Sequence, residues 1–147
     1  MVGWSVVWGG GSASHSGSNA VVTVRDPGST WTDTGFLYLG GNDQGRLDIS
    51  SGGMVNSNNC FLGYGNGTAV VTVSGVGSKW TNSGGLDIGR IGEGWLEITN
   101  GGVANTGICQ INQPTNSAAV VKVSGVNSTW TTSHLIDVGE YGDGRLE

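Results

Sequence analysis

The chain has 147 residues, of which 29 are glycine, 2 are proline and 12% are charged, and its formal net charge is −5. Glycine without a Gly-X-Y period excludes collagen, and the regularly placed Val, Ile and Leu residues exclude a disordered chain. The Lys and Arg residues are scattered singly, so we expect no nucleic-acid partner. No stretch approaches the roughly 20 apolar residues that span a bilayer, so we expect no insertion of this segment into a membrane.

Residues 1–18, MVGWSVVWGGGSASHSGS, precede the regular part of the sequence. They lack the basic start and the long apolar stretch of a signal peptide. Trp4 and Trp8, with two valines between them, are enough for one short turn of chain. We expect an N-terminal cap or partial turn here, or a surface that stacks on the other end of a second copy.

From residue 19 onward the sequence repeats with a period of about 50 residues. Three sets of residues keep that spacing: Trp31, Trp80 and Trp130; Val22, Val71 and Val121; Leu47, Leu96 and Leu146. The repeats cover 19–67, 68–117 and, in part, 118–147, and each divides into halves with three short strand signals. This pattern predicts an all-β fold, a right-handed parallel β-helix (β-solenoid) with three short strands per turn and about five to six turns.

The first strand of each turn alternates apolar and polar residues, which is typical of a strand with one buried face. Stacked in register, its inward columns are Val22, Leu47, Val71, Leu96, Val121 and Leu146, and then Val24, Ile49, Val73, Ile98 and Val123. A slip of one residue would turn every column outward, so the alternation specifies the register.

The second strand contains the repeated tryptophan, set among small polar residues. The tryptophan is either a displayed sugar platform or part of the core. Alignment of the half-repeats gives the column Trp31, Met54, Trp80, Val103 and Trp130. Large and smaller apolar residues alternate along it, as in stacked turns that interdigitate, so we expect core tryptophans.

The third strand has two inward columns: Leu37, Cys60, Leu86, Cys109 and Ile136, and then Leu39, Leu62, Ile88, Ile111 and Val138. Glycine follows the strand in a column interrupted by Asn112, and we expect a positive φ at each of these positions. The two cysteines fall two turns apart, beyond the reach of a disulfide, which predicts two buried free thiols.

The outward column of the third strand is the candidate binding surface: Tyr38, Phe61, Asp87, Gln110 and Asp137. Aromatic rings beside hydrogen-bonding side chains on a rigid face could hold a surface glycan or a protein of another cell. The alternative is an ordinary solvated face with two isolated aromatic residues.

The repeat unit resembles a known family. The residues that carry the resemblance are 71–75 (VTVSG), Ser78, 80–84 (WTNSG), Leu86, 88–89 (IG), Leu96, Ile98 and 100–102 (NGG). They are similar to the repeats of autotransporter (type V secretion) passengers, including the repeat shared with PEP-CTERM surface proteins. The resemblance implies a secreted, β-helical stalk associated with adhesion, extracellular or on a bacterial cell surface, and it implies no catalytic residues.

We expect no metal and no cofactor, because His15 and His134 lie far apart and cysteine and histidine do not cluster at ligand spacing. Asp48 with Glu97, and Asp87 with Asp137, recur near the separation that a glycosidase needs. They sit on flat, repeated positions without a cleft, so we expect no enzyme.

The predicted function is therefore a structural and adhesive module, in which Trp4, Trp8 and Leu146 either cap the solenoid or let copies stack end to end. The alternatives are a polysaccharide-binding or polysaccharide-degrading β-helix and a filament subunit without a ligand.

Overall fold

A computed structural model describes residues 20–112, 118–140 and 142–147. Trp4 and Trp8, and with them the predicted N-terminal cap, lie outside these residues. Within the described ranges the chain forms the strands β1 (Ala20–Arg25), β2 (Thr30–Thr32), β3 (Phe36–Leu39), β4 (Gln44–Ser50), β5 (Met54–Ser57), β6 (Asn59–Leu62), β7 (Thr68–Ser74), β8 (Lys79–Ile88), β9 (Glu93–Thr99), β10 (Val103–Ile111), β11 (Ala119–Ser124), β12 (Thr129–Thr132), β13 (Ile136–Val138) and β14 (Gly144–Leu146). The predicted fold is confirmed: the chain is an all-β, parallel β-solenoid of about five turns.

The strands form two parallel sheets that run along the solenoid. The first sheet contains the first strand of every turn, in the order β1-β4-β7-β9-β11-β14. The second sheet contains the second and third strands, which are separate in β2 and β3 or β5 and β6 but continuous in β8 and β10. We number the corners of a turn by the strand that precedes them, so the second corner lies between the second and third strands. In the middle turns this corner is a bend within one continuous strand, and the pairing shifts register there between Thr106 and Ile108.

The predicted columns of the first and third strands are confirmed. Val22, Leu47, Val71, Leu96, Val121 and Leu146 pair in succession, and the third-strand columns pair as predicted. In the middle turns these side chains are fully buried, and they form one continuous hydrophobic core. Since parallel strands lie about 4.8 Å apart, each of the middle turns buries its apolar residues against both neighbours.

The predicted alignment of the second strand is wrong by one residue. Trp31 pairs with Val55 rather than Met54, and Trp80 pairs with Ala104 rather than Val103. Val55 is buried, whereas Met54 is 38% exposed. The core role of the tryptophans is confirmed, because the smaller Val55 and Ala104 leave room for the indole rings of adjacent turns.

A column of buried polar side chains lies two residues after the tryptophans. Its members are Asp33, Ser57, Asn82 and Thr106. Trp80 Nε1 donates to Ser57 Oγ at 3.0 Å, and Ser57 Oγ donates to Asn82 Oδ1 at 2.9 Å. Ser57, Asn82 and Thr106 thus find partners on adjacent turns, which offsets the cost of burying them. Asp33 instead accepts from the Gly35 N–H of its own turn at 2.9 Å, and its second carboxyl oxygen has no partner among the described residues.

The first corner alternates between two turn types. In the long form, the Ser78 N–H donates to the Gly75 carbonyl oxygen at 3.1 Å and Gly77 has φ +84°, as in a type II turn. In the short form, Asn100 and Gly101 both have positive φ, as in a type I′ turn.

A serine ties two of the long turns to the short turn before each of them. Ser78 Oγ donates to the carbonyl oxygen of Ser74 at 2.7 Å and accepts from the Gly52 N–H at 3.0 Å. The same two bonds recur at Ser128, one repeat later. Because the serine belongs only to the long form, the structural unit is a pair of turns, which accounts for the period of about 50 residues.

At the third corner the predicted positive φ is found at the glycines but not at Asn112. The predicted glycines have positive φ: Gly40, Gly63, Gly89 and Gly139. Among the described non-glycine residues Asn112 does not have positive φ, so the prediction for this residue is wrong. Its side chain is instead buried beside the Asp87 carboxyl group.

The two cysteines are free and buried, as predicted. Cys60 and Cys109 both pair with Leu86, which places them on either side of the intervening turn. Burial raises the pKa of the Cys109 thiol to about 12 and raises the pKa of Cys60 as well. Both thiols are therefore protonated and unreactive in the folded chain.

Candidate functional site

The predicted outward column of the third strands is present. Tyr38 pairs with Phe61, Phe61 with Asp87, and Gln110 with both Asp87 and Asp137. All five side chains are half-buried. They lie on one face of the second sheet at the strand spacing of about 4.8 Å.

The aromatic end of this column is a packed group of four rings. The centroids of Tyr38 and Phe61 are 5.1 Å apart and their planes differ by 11°. Coplanar rings cannot approach so closely, so these two overlap face to face. Phe36 lies 6.2 Å from each of them, and Tyr64 meets Tyr38 edge to face at 4.7 Å.

An arginine completes the group. The Arg90 guanidinium carbon lies 5.2 Å from the centroid of Phe61 and 5.8 Å from that of Tyr64, within cation–π range. Since Tyr38 is one turn before Phe61 and Arg90 is one turn after it, the Phe61 ring is enclosed between them. We name Phe36, Tyr38, Phe61, Tyr64 and Arg90 the aromatic–arginine cluster.

Asp87 positions the guanidinium from the adjacent strand. Its Oδ2 lies 3.7 Å from Arg90 Nη1. Burial raises the pKa of the Asp87 carboxyl group, and the Arg90 charge and a hydrogen bond with Asn112 partly counteract this. The next carboxylate of the column, Asp137, is two turns away, about 10 Å along the axis. Asp87 therefore holds the Arg90 guanidinium group in place by an ion pair.

The column therefore divides into two parts. Tyr38, Phe61 and Asp87 belong to the cluster or hold it, whereas Gln110 and Asp137 continue the face one and two turns further on. Sequence reasoning missed three members: Phe36, Tyr64 and Arg90. A signal existed, since Phe36 shares the face of Tyr38 by alternation and the other two directly follow corner glycines on adjacent turns.

The last predicted site residue, Leu146, lies in the final strand of the first sheet and is 50% exposed. Ile136 and Val138, which close the third-strand columns, are 39% and 44% exposed. In the part of the chain that the structure describes, His, Cys, Asp and Glu residues form no group of three that could hold a metal ion.

The searched family models, curated proteins and solved structures contain no match to this chain. The resemblance to autotransporter passenger repeats therefore stays a prediction from the sequence. Within residues 20–112, 118–140 and 142–147, no helix is long and apolar enough to cross a membrane.

Proposed function

We propose that the chain is a structural and adhesive module, extracellular or on a bacterial cell surface, that binds a protein partner through the aromatic–arginine cluster. The observation that carries the proposal is the cluster itself, four rings and a cation gathered on one face of a regular solenoid. Export and location rest on the resemblance of the repeats to passenger sequences.

The composition of the cluster favours a protein partner. Phe36 is 52% exposed and Tyr64 is 43% exposed, so the cluster presents an apolar patch to solvent. Aromatic residues and arginine are enriched in the centres of protein interfaces and supply much of their binding energy. A stacked sugar would need a free ring face, whereas both faces of Phe61 are covered by Tyr38 and Arg90.

The solenoid contributes rigidity. Parallel pairing fixes the cluster residues on three adjacent turns, so little conformational entropy is lost when a partner binds. Arg90 is also held before binding by Phe61 and Asp87. An adhesive surface of this kind acts by binding its partner and needs no chemical step.

Adhesion of coated beads to cultured cells tests the proposal. Beads carrying the chain, its Tyr64→Ala variant or its Arg90→Ala variant are applied to cell monolayers, washed and counted. Val76→Ala is the matched control, because Val76 is 81% exposed at the first corner, outside the cluster. Loss of an interface hot spot costs about 2 kcal/mol, so each cluster variant is expected to bind roughly thirtyfold more weakly.

The same beads distinguish the classes of partner. Protease treatment of the cells should abolish binding, and periodate oxidation of their surface sugars should leave it intact. Equal binding by the cluster variants and Val76→Ala, or loss of binding with periodate alone, would contradict the proposal. Release of reducing sugars from polysaccharides by the chain would instead support the polysaccharide-degrading alternative.

End-to-end stacking has one observation in its favour. Within the described residues, β12, β13 and β14 each pair on one side only, and their inward columns are partly exposed. A second copy placed there would continue both sheets. Sedimentation velocity over a wide concentration range should then show association that Leu146→Glu weakens, and a constant monomer would refute it.

A further inference from the structure

The outer face of the first sheet carries a tryptophan that belongs to no repeated column of aromatic residues. Trp95 lies in β9 between Gly94 and Leu96, which are both buried, so its side chain points outward. Its neighbours on the adjacent strands are Val70 and Val120. Trp95 therefore sits in the middle of a short apolar row on a flat sheet.

The orientation of the indole is inferred from the exposure of this row. A tryptophan that stood upright on a sheet would leave both ring faces open to water, whereas Trp95 is half-buried. Val120 also points outward and yet is only 9% exposed, so neighbouring atoms cover it. We infer that the indole lies along the sheet beside the valines, with one face toward solvent.

Hydrogen-bonding groups surround that open face. Glu93 and Glu97 lie two residues before and after Trp95 on the same face, about 7 Å away along the strand. Thr72 and Lys122 flank Glu97 on the adjacent strands. We name Val70, Glu93, Trp95, Glu97 and Val120 the Trp95 platform.

The charges nearest the indole disfavour an acidic ligand, although Lys122 lies beside Glu97 on the adjacent strand. The arginines at the two ends of the row are already paired within their own strands, Arg46 with Asp48 and Arg145 with Glu147. Glu93 and Glu97 directly beside the indole would repel an anionic chain. A neutral, hydroxyl-rich chain meets no such repulsion, and its hydroxyl groups can donate to both carboxylates.

We propose that the Trp95 platform binds a neutral polysaccharide, with a sugar ring stacked on the indole and its hydroxyl groups donating to Glu93 and Glu97. The platform offers a free ring face, which the aromatic–arginine cluster does not. It lies on the first sheet and the cluster lies on the second, so the two sites are separate and bind different classes of ligand.

Affinity electrophoresis tests the proposal. Native gels contain one neutral polysaccharide each (hydroxyethyl cellulose, xylan, mannan or mixed-linkage β-glucan), and parallel gels contain alginate or heparin. The main variant is Trp95→Val, because valine already occupies the paired positions on both adjacent strands and fits a strand well. Tyr64→Ala, in the aromatic–arginine cluster, is the control.

We expect at least one neutral polymer to retard the chain, and Trp95→Val to weaken that binding about tenfold or more. Tyr64→Ala should bind like the original chain, and Glu97→Gln should fold normally and bind more weakly, which keeps the test decisive if Trp95→Val does not fold. Three results would overturn the proposal: retardation by none of the neutral polymers, retardation by the anionic polymers alone, or retardation of both Trp95→Val and Glu97→Gln as strong as that of the original chain. The bead assay is independent of this result, because its variants leave the platform intact.

Discussion

Replacement of Trp80 by alanine tests whether the repeated tryptophan is a core residue. Its side chain is 0% exposed, and its Nε1 donates to the buried Ser57 hydroxyl at 3.0 Å. Removal of a buried tryptophan side chain costs about 3–5 kcal/mol. Loss of the hydrogen bond adds about 1 kcal/mol. The expected loss is therefore about 4–6 kcal/mol, a large part of the roughly 5–15 kcal/mol of a typical domain.

Two further variants separate the contributions. Trp130 occupies the equivalent position in the last repeat and donates to Thr106 Oγ1 at 3.2 Å, but it is only half-buried. Trp130→Ala removes the same groups from a less buried site and should cost about half as much. Trp80→Phe keeps a ring in place and removes the donor, so its cost should fall to about 1–2 kcal/mol.

Urea unfolding followed by circular dichroism measures these differences, with the slope of the transition checked in each variant. Adjacent turns depend on each other, so an altered slope would indicate that part of the solenoid unfolds separately. If Trp80→Ala costs no more than Trp130→Ala, the tryptophan does not stabilise the chain through burial and the assignment to the core is wrong.

Three other predictions follow from buried groups. Ser78→Ala should cost about 1–3 kcal/mol in the same urea titration, because it leaves the Gly52 N–H and a backbone carbonyl unpaired, whereas Ser78→Thr can keep both bonds. The raised pKa of Asp87 means that the folded chain binds its proton more tightly than the unfolded chain, so this group's contribution to stability falls as the pH rises through the range just above the usual carboxyl pKa. Asp87→Asn should remove that component, and identical pH profiles of unfolding free energy for the two proteins would refute it. Cys60 and Cys109 should not react with a thiol reagent at pH 8 in the folded chain and should both react in 6 M guanidinium, and rapid labelling without denaturant would show that the core opens.

The sequence was sufficient for most of the fold, for a physical reason. In the first and third strands an apolar residue alternates with a polar one in enough turns that only one register buries every column. In the second strand Met54 and Val55 are both apolar, as are Val103 and Ala104, and alternation cannot choose between them. In the structure Val55 and Ala104 pair with the tryptophans and therefore occupy the inward column.

The candidate sites were only partly predictable because they depend on corners and on side-chain orientation. Tyr64 and Arg90 reach the cluster from the residues after the third corner, and no alternation rule describes that segment. Trp95 was not singled out from the sequence, because the repeat pattern in its strand is defined by the inward residues Leu96 and Ile98. Its exposure and its neighbours became apparent only once the adjacent strands were in place.

The two sites lie where equivalent positions of the repeats differ. Column residues such as Leu47 and Leu96 are the same in successive repeats, because each turn must bury the same volume against its neighbours. Outward positions carry no such constraint, so the position of Asp87 in one turn is that of Phe61 in the turn before it. Exchange of outward residues between repeats should therefore move binding without loss of stability. Asp87→Phe with Phe61→Asp should abolish adhesion at the original cluster yet unfold near the original urea concentration, and a large loss of stability would show that the cluster is part of the core.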